Sequence, residues 1–254
     1  MRRAFLSLLV VVAALAWTST PAGGEVTGIA ASAFGVLAIE NADQTIFGPQ
    51  PTVTLPPNGT GRFIQTVMNV SSAQLGLEAG ELRVEVEGSG LGGHEGAAAA
   101  NTEGESFDLE NIVFADFVTQ CSADVNGAMG GTTFLDGDVI VNGSPQQLPQ
   151  NPAPNTVIDA SSTVRVILNE QARVHQAGQA SISVAALHVT VLDGADETDI
   201  FVGQLECGVT GPDVLAAPGA APPGGEPALP LADPSDPLAL QPPAPLRVTP
   251  TFAG

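Results

Sequence analysis

The segment Thr163 to Val209, TVRVILNEQARVHQAGQASISVAALHVTVLDGADETDIFVGQLECGV, constrains the fold more than any other part of the chain. It reads as three consecutive strands joined by two turns and closing on Cys207. Val164, Val166 and Leu168 point one way and Arg165 and Asn169 the other, the period-two alternation of a strand with one dry face. Ile167 interrupts the polar side, so that side is expected to be partly covered. In the run Ser181 to Leu192 the phase slips: Ile182 and Val184 share one face, whereas Leu187, Val189 and Val191 fall in the opposite phase. A β-bulge at Ala185-Ala186 would restore a single inward face. Asp193-Gly194 supplies a turn, after which Phe201, Leu205 and Cys207 oppose Gln204 and Glu206. Three adjacent antiparallel strands are expected.

The rest of the chain extends the same pattern. Strands are expected from Ala31, at Thr52 to Leu55 within a Pro- and Gly-containing connection (Gly48 to Gly59), and at Phe63 to Val70. Others are Leu82 to Glu87, Ile112 to Cys121 and Thr132 to Asn142. Gly88 to Gly104, GSGLGGHEGAAAANTEG, shows no periodicity and reads as an exposed loop, as does Ser122 to Gly131. Two prolines in Asn151 to Asn155 interrupt the ladder. Nearly every periodic run has period two and none has helical spacing, which predicts an all-β domain, an antiparallel β-sandwich with long strands over residues 31–210. A parallel β-helix is the alternative, prompted by short runs separated by Gly and Asn.

Both ends differ from this middle. Met1 to Ala22 combines Arg2-Arg3, an apolar run from Ala4 to Ala16 and small or polar residues, the layout of a secretory signal peptide. Cleavage is expected after Ala22, with Ala16 as the second choice, and residues 23–30 would form a linker. The arginine pair followed by Phe5-Leu6 leaves Sec and twin-arginine export both open. Beyond Gly211 the composition changes to Pro, Ala and Gly with too few apolar residues in period to bury a face. Residues 211–254 are therefore expected to form a disordered, Pro-rich tail.

Charge and aromatic content narrow the function. The net charge is −20, and lysine is absent. A surface this acidic repels phosphate backbones and anionic headgroups, so nucleic acid is not an expected partner. The single Trp, Trp17, lies in the leader, and Tyr is absent. Sugar-stacking platforms and aromatic hot spots are correspondingly poorly supplied.

Candidate site residues are few. Cys121 and Cys207 are the only cysteines, and in an exported chain an even pair is expected to form a disulfide. Closing so long a loop stabilises by roughly 4 kcal/mol on the chain-entropy model. The strands Ile112 to Cys121 and Ile200 to Cys207 would then be spatial neighbours, each with its sulfur at a strand end. Asp193, Asp196, Glu197 and Asp199 crowd one turn and could offer oxygens to calcium, although the alternating ligand loop that calcium favours is missing. Asp136 and Asp138 form a smaller acidic pair of the same kind. His94, His175 and His188 lack zinc-site spacing, and no Gly-x-Ser-x-Gly elbow or Ser-x-x-Lys motif occurs. No catalytic residue is assigned and no cofactor is expected, calcium alone being considered.

Several segments resemble, in their order and spacing, the choice-of-anchor P family of actinobacterial secreted proteins. They are Ala31-Ser32-Ala33-Phe34-Gly35, Cys121-Ser122-Ala123, Pro154-Asn155-Thr156, Leu168-Asn169-Glu170-Gln171, Ala186-Leu187-His188-Val189 and Glu206-Cys207-Gly208. The resemblance implies a secreted, surface-associated protein and carries over no catalytic residue. The expectation is a non-enzymatic structural or interaction protein of the cell envelope or extracellular space, its partner an envelope component or another protein. The alternatives are a calcium-stabilised adhesion module and a secreted hydrolase.

Overall fold

The computed structural model describes residues 25–41, 44–93, 96–109, 112–212 and 214–215. They fall within the first of two units, Met1–Ala220; the second, Ala221–Gly254, lies outside the described residues, as do the expected signal peptide, His94 and most of the Pro-rich tail. The strands are β1 (Gly28–Glu40), β2 (Gln44–Thr54), β3 (Gly61–Ser72), β4 (Leu77–Ser89), β5 (Ala97–Leu109) and β6 (Ile112–Asp124). They continue as β7 (Gly127–Val141), β8 (Ser144–Gln147), β9 (Thr156–Asp159), β10 (Val164–Gln176), β11 (Gln179–Asp193) and β12 (Asp196–Thr210).

These strands form two antiparallel six-stranded sheets packed face to face as a β-sandwich. One sheet has the order β2-β1-β12-β11-β10-β9, the other β3-β4-β5-β6-β7-β8. The second is an uninterrupted meander. The first receives the chain twice, with β12 returning to lie between β11 and β1. Antiparallel pairing throughout replaces the β-helix alternative.

The phase slip expected at Ala185-Ala186 runs across four neighbouring strands, and it occurs without the expected β-bulge. Asn169, Ala186, Gly203 and Gly35 lie side by side across β10, β11, β12 and β1, between flanking pairs whose register is unbroken. Asn169 and Gly203 have φ of 51° and 60°, the left-handed region. One such residue turns the strand so that the next side chains exchange faces. Thus β12 buries Ile200 and Val202 before the line and Leu205, Cys207 and Val209 after it. The meander repeats the device. Asn69 (φ 55°) and Ser106 (φ 52°) flank the level of Gly80, and buried Leu77 and Ala79 give way to buried Leu82, Val84 and Val86.

The core accordingly has two halves. One holds Phe107, Phe117, Phe134, Leu168, Leu187 and Val202; the other holds Ile29, Val84, Ile182, Val184, Leu205 and the two cysteines. Phe117 of β6 fills the space left at the line, for a Cβ added to Gly203 would lie 2.5 Å from its ring and one added to Gly104 would lie 2.1 Å away.

Several boundaries differ from those expected. β1 begins at Gly28, inside the stretch read as linker, and Val26 ahead of it is fully buried. The stretch read as a loop at 88–104 contains much of β5, where Ala98, Ala100 and Thr102 alternate inward. Alanine is small enough to pack under a crowded sheet yet carries little strand signal, which hid the alternation. The loop expected at 122–131 is reduced to a turn between β6 and β7, which pair as far as Asp124 and Gly127; within it Gly130 leaves room for Val184 of the facing sheet, 2.6 Å from where its Cβ would be. Of the connection expected at Gly48 to Gly59, residues 48–54 are the second half of β2, which pairs irregularly with β1.

Candidate functional site

The expected cysteine pair is joined. Cys121 and Cys207 form a disulfide with a Cα–Cα separation of 6.0 Å across 86 positions of sequence. The cysteines do not end their strands, since β6 and β12 each run three residues further. They belong to opposite sheets, so the bond crosses the sandwich, and both are buried in the second half-core.

A polar cluster lies on the other side of the Cys207 sheet. His188 faces away from the core because its neighbours Leu187 and Val189 face in. Its position there follows from two tight hairpins. The β11–β12 turn pairs Asp193 with Asp196 and so places His188 opposite Phe201; the β10–β11 turn pairs Gln176 with Gln179 and places Ile167 on the other side. Leu37, Phe201, His188, Ile167 and Val157 thereby form one row across five strands. The Phe201 ring stacks on the imidazole at 4.2 Å between centroids.

Two acids flank the ring. Glu170 Oε2 lies 2.9 Å from His188 Nδ1, and Asp199 Oδ1 lies 2.9 Å from Nε2. Thr190 donates its hydroxyl to the same Asp199 oxygen at 2.9 Å. Burial by itself opposes charging the imidazole, but hydrogen bonds to Asp199 and Glu170 and the charges of both outweigh it and raise the His188 pKa from 6.5 to about 9. For Asp199 burial again opposes ionisation, while His188 and Thr190 hold its pKa below the ordinary value. The cluster is an imidazolium donating to two carboxylates. A histidine with both nitrogens protonated and engaged cannot accept a proton from a nucleophile, so this arrangement suits cross-linking of strands rather than general-base chemistry.

The four acids considered for calcium are separated by this arrangement. Asp199 is committed to His188 and Thr190, whereas Asp193 and Asp196 are exposed at the hairpin end and Glu197 is exposed beside them. Asp196 accepts a hydrogen bond from Asn41 Nδ2 at 3.1 Å, and the Glu197 amide donates to Asn41 Oδ1. Among the described residues no group of three or more His, Cys, Asp or Glu is arranged to hold a metal ion. Asp136 pairs across strands with Asp116, and Asp138 with Val113. His175 is in β10. A cleft of about 460 Å³ at Phe134, Leu135, Asp136, Gln147 and Leu148 has Asp136 as its one ionisable residue. Among the described residues no helix is long and apolar enough to cross a membrane.

The His188 cluster was missed in the sequence because its three charged members come from three strands. Its signal was nonetheless present in the turns: Asp193-Gly194 sets the β11–β12 register, which puts Asp199 two pairs along from His188, on the same face of the sheet. Comparison of the chain with protein-family models, curated proteins and solved structures finds no match.

Proposed function

We propose that the protein is a secreted, non-enzymatic interaction module of the extracellular space or cell envelope. The observation that carries this reading is the buried disulfide Cys121–Cys207 between the two sheets. A bond in that position is kept where the compartment is oxidising, and it agrees with the leader-like first residues. The segments resembling choice-of-anchor P proteins support the same location. The commitment of His188, Glu170 and Asp199 to one another supports a non-catalytic role, since the best-placed acid–base group is internally satisfied.

Expression of the full chain in a secreting host followed by fractionation tests location: processed protein is expected in the medium or envelope, and retention in the cytosol would contradict it. Screening generic ester, glycoside and peptide substrates tests the rest. Turnover abolished by His188→Gln in a folded protein would overturn the non-enzymatic reading in favour of a hydrolase.

A further inference from the structure

A sandwich of open sheets has four edge strands, and here three are blunted. β8 and β9 have four residues each, and β2 carries Pro49 and Pro51 and pairs irregularly with β1. Short strands, prolines and irregularities are the ordinary protections against pairing with another chain. The fourth edge, β3, is neither short nor broken by proline, and its left-handed residues, Gly61 and Asn69, lie toward its ends. Its 12 residues, GRFIQTVMNVSS, contain no proline, and β4 is its only partner in the sheet. Edge strands usually gain charge, but β3 carries one charged residue, Arg62, and exposes Phe63, Ile64 and Met68 at 39%, 49% and 59%.

The neighbouring strand indicates what such an edge would accept. Leu82, Val84 and Val86 of β4 are buried, so Glu81, Arg83, Glu85 and Glu87 occupy its outer face. Met68 pairs with Glu81, Ile64 with Glu85 and Arg62 with Glu87, which places Ile64 and Met68 on that same outer face. Arg62 and Arg83 both bind Glu85, and Arg83 also reaches Glu103. Glu81 makes no ion pair among the described residues, and the charge of Glu87 bears on Arg62, already bonded to Glu85. A strand added beside β3 would lie two interstrand spacings, roughly 10 Å, from β4. Arginine or lysine side chains on its outer face would lay their stems over Ile64 and Met68 and bring their charges to these glutamates. Its other face would meet Phe63. A second copy of this chain is a poorer fit, because it would bring another net charge of −20 to the contact.

We propose that β3 is a strand-addition site for an extended segment of a partner protein in which cationic residues alternate with apolar ones. The backbone of β3 would supply the pairing, and Ile64, Met68 and the β4 glutamates the selection. This proposal rests on the interaction-module reading and names its surface.

The test uses the full chain and a fluorescein-labelled peptide of alternating valine and arginine matched to β3 in length. Anisotropy should show saturable binding that weakens with salt. The same peptide with glutamate for arginine, or interrupted by proline, should bind at least about tenfold more weakly, as should the Ile64→Lys/Met68→Lys variant. Hydrogen exchange on the wild-type protein should show β3 amides protected by the peptide, a readout that does not depend on the variant's folding. Equal binding of the proline-interrupted peptide, or protection anywhere but β3, would overturn the proposal while leaving the interaction-module reading in place. Self-association through β3 that excludes the peptide would overturn the choice of partner. Cytosolic retention or enzymatic turnover would instead remove the reading beneath it.

Discussion

His188 concentrates the electrostatics of the described fold in one side chain. Its folded pKa of about 9 exceeds the unfolded value of 6.5, so its stabilisation is fully present below 6.5 and is lost as pH rises through about 9. That difference corresponds to about 3 kcal/mol. Asp199, lowered from 3.8, contributes stability above its ordinary pKa that is lost as pH falls through the folded value. Stability should therefore be greatest between about pH 4 and pH 6.5 as far as this cluster sets it. Urea denaturation at about pH 6 and about pH 10 should show a fall of about 3 kcal/mol in the wild type and little of it in His188→Gln. Near pH 6 the same substitution should cost about 3 kcal/mol, since it leaves Asp199 buried without its cation. Wild-type and variant curves of equal slope against pH would refute the assignment.

Among the elements, the line through Asn169, Ala186, Gly203 and Gly35 governs which side chains face the core. Gly203→Ala forces a side chain into φ 60° and against Phe117, and should lower stability by about 3 kcal/mol. Gly194→Ala, at φ 67° with open space around it, should cost only about 1 kcal/mol, the backbone strain alone. Melting curves of the two variants separate the contributions, and equal losses would argue against the packing of Phe117 at the line. The sequence revealed the inversion in β11 because Val184 and Leu187 are large and unmistakably out of phase. It concealed the extent of the line because Gly35 and Gly203 have no side chain with which to show a phase. β5 stayed hidden for a related reason, its inward positions being Ala98, Ala100 and Thr102. The His188 cluster was legible only through register, a relation between strands that alternation within one strand does not express.

For the whole molecule, Cys121–Cys207 ties together sheets that the chain joins through the β2–β3 and β8–β9 connections. Replacing both cysteines by alanine should lower stability by roughly 4 kcal/mol on the chain-entropy model while leaving the strand content of circular dichroism intact. Sandwich and cysteine pair were both foreseeable, the first from period two and the second from an even count in a chain with a leader-like start. Which sheets the bond would join was not, because strand order depends on β12 returning between β1 and β11. The most direct test of an oxidatively closed, exported sandwich is non-reducing peptide mapping of the protein recovered from a secreting host. One cross-linked pair of peptides carrying Cys121 and Cys207, with no thiol titrating before reduction, is the predicted result; two free thiols per chain in the native protein would contradict it.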